Sequence, residues 1–128
     1  MGEEDKDAGQ YHIYVDQVHA AGAIVATPGA LDLVGDVRPY IRRHLCGDWG
    51  RIGRYADTEL TAREATLGAL ATGDDGKLNV DAIRNGGRTL SVYDVPGGGV
   101  LWVMTEGLEA GGVGTESTNT CAMLPDDY

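Results

Sequence analysis

Apolar residues fall at helical spacing over residues 36–46, where Val37, Tyr40, Ile41 and Leu45 share one face, and this pattern predicts an amphipathic helix. Asp36 is placed to cap it, Pro39 sits in its first turn, and Gly47 stands where the helix must end. At about 100° per residue His44 lies within the apolar arc and Cys46 on the opposite side. An earlier apolar run, residues 23–26, predicts a strand, and Thr27-Pro28 after it predicts a capped helix start. A further helix is predicted over 58–70, opened by Asp57 or Thr58 and carrying Leu60, Ala65, Leu67 and Leu70. Gly73-Asp74-Asp75-Gly76 predicts a break, and a short helix over 79–85 ends at Gly86-Gly87.

Period-two alternation marks the strands. Tyr11, Ile13 and Val15 suggest one over 11–18, and the β-rich runs 88–95 and 100–106, joined through Pro96-Gly97-Gly98-Gly99, predict a hairpin. A two-residue turn at Gly97-Gly98 sets Tyr93 opposite Trp102, Ser91 opposite Met104 and Thr89 opposite Glu106, with Leu90, Val92, Leu101 and Val103 on the other face; a longer turn mixes the two sets. After a Gly-, Ser- and Thr-rich loop over 111–119, residues 120–124 predict a third strand, stopped by Pro125. The expected fold is α+β: a small antiparallel sheet, made of a C-terminal three-stranded meander plus one or two N-terminal strands, packed against two to four helices. Residues 1–10 are expected to be a disordered acidic tail and 11–128 a single domain.

Composition narrows the classes of function. Twenty acidic against ten basic residues give a formal charge of −10, with lysine only at Lys6 and Lys77, so direct nucleic-acid binding is not expected. Such a surface either mimics DNA toward a basic partner or serves solubility, at high salt or generally; the scattering of the acids favours solubility. The first ten residues lack the basic start and apolar stretch of a signal peptide, and no apolar run reaches membrane-spanning length, so a cytoplasmic, membrane-free protein is expected. Cys46 and Cys121 are then reduced thiols, and without a CxxC spacing they imply neither a disulfide framework nor a zinc site.

Chemistry-bearing groups concentrate in residues 43–50, Arg-His-Leu-Cys-Gly-Asp-Trp-Gly. Cys46 and His44 are two apart on a helix and point away from each other, which weakens a nucleophile pair. His44 is expected to be partly buried, with Asp48 accepting a hydrogen bond from its ring, either as base and orienter or as a satisfied core histidine. The candidate catalytic residues are His44, Asp48 and Glu106; the candidate ligand-binding residues are Trp49, Arg88, Ser91, Tyr93 and Trp102. A Cys121–His44–Asp48 triad requires distant segments to converge. His12 and His19 have spacings compatible with a surface, Thr27-Pro28-Gly29 lacks the GK[ST] of a phosphate loop, and Asp74, Asp75, Asn79 and Asp81 lack the order of a calcium loop. No metal and no cofactor are expected.

Five segments carry a resemblance: 27–31 (TPGAL), 43–50 (RHLCGDWG), 88–93 (RTLSVY), 101–106 (LWVMTE) and 123–128 (MLPDDY). Together they resemble a family of small proteins, of no settled activity, carried on bacterial plasmids and integrated elements. GDWG and W-x-x-T-E are the most specific pieces. The chain departs from that pattern by extra length between Gly50 and Asn79 and between Glu106 and Thr120, and by Gly107-Leu108 where relatives carry an Asp-Arg pair. The resemblance, with the acidic charge, implies a protein-binding module that modulates a host defence such as restriction or CRISPR interference. The alternative is a small enzyme or nucleotide-binding protein using His44, Asp48, Arg88, Ser91 and Glu106.

Overall fold

The computed structural model describes Tyr14 and residues 16–55 and 74–128, and within it the apolar run Ala23–Ala26 forms strand β1 with the expected bounds. Thr27 then opens helix α1 (Pro28–Val34): its hydroxyl accepts the Ala30 N–H at 3.2 Å and donates to Asp127 Oδ2 at 2.7 Å. Helix α2 (Arg38–Leu45) follows, with the Asp36 carboxylate accepting the Arg38 N–H at 3.0 Å and Ile41, His44 and Leu45 on its buried face. Gly47, at φ 86°, takes the left-handed turn that lets the chain leave the helix.

Helix α3 (Asp74–Asn85) includes the whole stretch expected over 79–85 and extends before Asn79, so Asp74-Asp75-Gly76 lie in the helix and not in a break. Gly76 is buried, where packing overrides its poor helix propensity. The helix expected over 58–70 and the tail over 1–10 lie outside the described residues. Within 11–18, the described residues form a turn and not a strand. Gln17 N–H donates to the Tyr14 carbonyl at 3.1 Å, and Val18 N–H donates to the Leu45 carbonyl at 2.8 Å, tying this segment to the end of α2.

Strands β2 (Gly86–Asp94), β3 (Val100–Glu109) and β4 (Asn119–Met123) make the antiparallel meander, and the sheet order is β1-β4-β3-β2. β1 joins β4 in parallel, so the sheet of this α+β fold is mixed. The hairpin register differs from the two-residue-turn expectation. Val95 N–H donates to the Gly99 carbonyl at 3.0 Å, closing a longer loop, and Tyr93 faces Leu101, Ser91 faces Val103 and Thr89 faces Thr105. A one-residue slip re-sorts every side chain between the two faces. Ser91 and Tyr93 therefore share the inner face with Leu101, Val103 and Thr105, while Leu90 and Val92 share the outer face with Trp102, Met104 and Glu106.

Ala30, Ile41 and Leu45 cover the inner face, packing on Tyr93, Leu101, Val103 and Ala122. A second cluster, Trp49, Ile52 and Ile83, packs against Leu90 and Val92 at the outer side of β2. The free edge of β2 is also closed. The Asn79 amide of α3 accepts the Leu90 N–H at 2.9 Å and donates to its carbonyl at 2.7 Å; Val92 donates to the Trp49 carbonyl at 3.1 Å and accepts the Arg51 N–H at 2.8 Å. An open edge is a template for further pairing, and a side-chain amide plus a looped backbone segment remove it here.

Candidate functional site

The register places three threonines side by side on the inner face, Thr89 beside Thr105 beside Thr120, and α2 lowers His44 onto them. His44 Nδ1 lies 2.6 Å from Ser91 Oγ, and its Nε2 lies 2.8 Å from Thr105 Oγ1 and 3.2 Å from Thr89 Oγ1. His19, from the segment before β1, stands edge-on at 5.2 Å between ring centroids, with Nε2 3.0 Å from the same Thr89 hydroxyl. His19, His44, Thr89, Ser91, Thr105 and Thr120 are all fully buried. The surface position open to His19 is thus corrected, while His12 lies outside the described residues.

Proton positions follow by elimination, because a carbonyl only accepts. His19 Nδ1 is 2.8 Å from the Ala20 carbonyl, so it carries the proton, and Nε2 accepts from Thr89. Thr120 donates to the Ala21 carbonyl at 2.7 Å, which leaves Thr105 to donate to Thr120 at 2.7 Å. Thr105 must then accept, so His44 donates from Nε2 and receives the Ser91 proton at Nδ1. With these protons placed, the His44 ring is neutral, and its path through Thr105 and Thr120 ends on the Ala21 carbonyl.

Burial first, and the neighbouring His19 second, hold the His44 imidazole well below its ordinary range. The unfolded chain therefore binds a proton that the folded chain refuses. This contribution to stability is complete above about pH 6.5 and shrinks as pH falls below it, by at most about 1.4 kcal/mol per pH unit for this ring. Urea unfolding followed from about pH 7.5 to about pH 5 is expected to show stability falling toward the acid side. A flat profile would mean that the ring takes its proton without cost.

Asp48 does not orient His44. Its backbone N–H closes the helix end on the Arg43 carbonyl at 2.9 Å, and its carboxylate turns outward to Arg43 Nε at 2.8 Å and to the Gly50 N–H at 3.2 Å. Partial burial alone would raise the Asp48 carboxyl, but these hydrogen bonds and the charges of Arg43 and Arg54 outweigh it and hold the group below its ordinary range. Glu106 is exposed on the outer face, 3.8 Å from Arg88, across the sheet from His44. Cys121 alternates outward on β4, and burial pushes the Cys46 and Cys121 thiols up, which keeps them protonated. The three catalytic candidates are therefore not brought together, nor is the Cys121 triad.

The binding candidates separate in the same way. Ser91 is sealed beneath His44, and Tyr93 is buried with its hydroxyl donating to the Asp48 carbonyl at 2.6 Å. Trp49 is fully buried, and its Nε1 has no hydrogen-bond partner among the described residues. Arg88 and Trp102 alone line an open groove of about 430 Å³ on the outer face, between α3 and the C-terminal turn. Its apolar lining is Leu78, Ala82, Leu90 and Met104, and Tyr128 forms one wall. The Trp102 and Tyr128 rings meet at 6.0 Å, the Arg88 guanidinium lies 5.5 Å over the Tyr128 ring, and Arg88 donates to the Tyr128 hydroxyl.

Sequence reasoning missed His19, the threonine ladder and Tyr128. Thr89, Thr105 and Thr120 are legible as inward positions only once the register is known; Tyr128 carries no periodic signal. Among the described residues no group of three His, Cys, Asp or Glu is placed to hold a metal ion, and no helix is long and apolar enough to cross a membrane. Comparison with protein-family models, curated proteins and solved structures finds no match for this chain.

Proposed function

We propose that this chain is a protein-interaction module that works without catalysis, and that its contact surface is the outer face of the sheet. One observation carries the reading: Trp102, Tyr128 and Arg88 cluster beside an open groove with an apolar lining. Tryptophan, tyrosine and arginine are the residue types that most often anchor protein contacts, because they combine large apolar area with a polar tip. Buried His44 supports the same reading from the other side, since its two ring nitrogens lie on strand hydroxyls inside the fold. The resemblance to a mobile-element family suggests a host protein as partner, with a restriction or CRISPR component as the first class to try.

Arg88→Glu is the decisive variant, because the side chain is half exposed and its reversal leaves the core untouched. Folding stability is expected to change by no more than about 0.5 kcal/mol. Affinity for a partner recovered from host extract at cellular salt is expected to fall by about 30-fold or more, the effect of losing an anchoring residue worth about 2 kcal/mol. Recovery of no specific partner, or equal recovery by the variant, overturns the reading.

A further inference from the structure

The two edges of the sheet are built in opposite ways. On β2, Asn79 and the Trp49–Arg51 backbone take up the outward N–H and C=O groups of Leu90 and Val92. On β1, Ala23 donates to the Thr118 carbonyl at 3.3 Å and Thr27 to the Ala122 carbonyl at 2.9 Å, so these alternate residues face β4 and the backbone groups of Ile24 and Ala26 face outward. The strand reads Ala-Ile-Val-Ala, in unbroken register with β4. It contains no charge, proline or bulge, the devices that usually protect an edge. Its side chains are open on both faces: Ile24 is 46% exposed on the inner face and Val25 53% on the outer.

A row of side chains in register continues inward from this edge. Val25 lies beside Cys121, Cys121 beside Met104, and Met104 beside Leu90 in the groove. The segments that build this edge are acidic in sequence. Residues 19–34 and 113–128, which supply β1, α1, β4 and the final turn, contain Asp32, Glu116, Asp126 and Asp127 and no lysine or arginine. Asp127 sits at the C-terminal end of β1, on the Thr27 hydroxyl. A second copy would bring the same carboxylates to the same edge and be repelled.

We propose that β1 is a strand-addition site, and that its occupant is an extended segment of another protein with an apolar, β-branched centre and basic residues at its ends. The proposal rests on the reading of the chain as a protein-interaction module and names the edge and the chemistry of the partner. Backbone hydrogen bonds to Ile24 and Ala26 supply affinity, the partner's side chains cover Ile24 and Val25, and its cations answer the surrounding carboxylates.

The probe is a short synthetic peptide with alternating valine and threonine in the centre and lysines at both ends, added to the isotopically labelled full chain. At saturation, amide exchange at Ile24 and Ala26 is expected to slow by roughly tenfold or more. Val25→Lys is expected to weaken binding and Val25→Glu to strengthen it, with little change in folding because Val25 is half exposed. Absence of binding overturns the proposal. So does equal binding of a peptide N-methylated along its centre, which cannot pair, or of one with glutamates in place of the lysines. Shifts confined to Trp102 and Tyr128, or dimerisation of the chain through β1, overturn it as well. If the peptide fails while a host protein is still captured in an Arg88-dependent way, the edge is wrong and the interaction reading stands.

Discussion

Replacing His44 with alanine is expected to remove roughly 3–5 kcal/mol of folding stability, a large part of what a domain of this size possesses. The ring is wholly buried, on the same face of α2 as Ile41 and Leu45 and against the strand hydroxyls, so truncation opens a cavity that the sheet cannot close. It also takes away the acceptor of Ser91 and the donor to Thr105. Buried hydroxyls left without partners cost more than their hydrogen bonds contributed, because water cannot replace what was lost. His44→Leu separates the two effects: it fills most of the volume and leaves the Ser91 proton unmatched. Adding Ser91→Ala to His44→Leu is expected to recover about 1 kcal/mol or more of the loss. Urea unfolding of the three variants checks the whole series. A His44→Ala protein with wild-type stability and lost binding would return the imidazole to a functional role.

Gly50→Ala is expected to be nearly as damaging, at roughly 3 kcal/mol or more, although it adds a single methyl group. The residue sits at φ 66°, and a Cβ there would lie 2.1 Å from the Val92 carbonyl oxygen and 2.8 Å from Tyr93 Cδ1. The loop can relieve that clash only by lifting off β2, which breaks the hydrogen bonds between Val92 and the Trp49 and Arg51 backbones. Trp49 would then leave its cluster with Ile52 and Ile83. Three readouts are expected together: a lower urea midpoint, a red shift in tryptophan emission measured in a Trp102→Phe background, and faster exchange of the Val92 amide. Wild-type exchange at Val92 would show that the loop is dispensable at this edge.

These two results bear on the same sequence segment. Residues 43–50 attract attention for their imidazole, thiol, carboxylate and indole, the group types from which sites are made. In the fold the imidazole, carboxylate and indole have local duties, as has the closing glycine: His44 fills the space over the threonine ladder, Asp48 holds the helix end through Arg43, Trp49 fills the outer core, and Gly50 permits contact with Val92. A motif this specific is explained by backbone geometry before any ligand is invoked. The residues that cluster at the groove on the outer face, Arg88, Trp102 and Tyr128, are spread over β2, β3 and the C-terminal turn and form no motif in the chain.

What the amino-acid sequence determined by itself was local. The bounds of β1, the Thr27 cap with Pro28 behind it, the buried arc of Ile41, His44 and Leu45, and the stop at Gly47 all depend on periods and caps within a few residues. The tertiary structure decided the hairpin register, and with it whether Thr89 met Glu106 or Thr105. It also decided the meeting of His19 with His44, the parallel pairing of β1, and which sheet edge is closed. The physical reason is that strand alternation has period two and is blind to a slip of one residue, so a glycine-rich loop and contacts made far along the chain choose between two faces that the local pattern leaves equivalent.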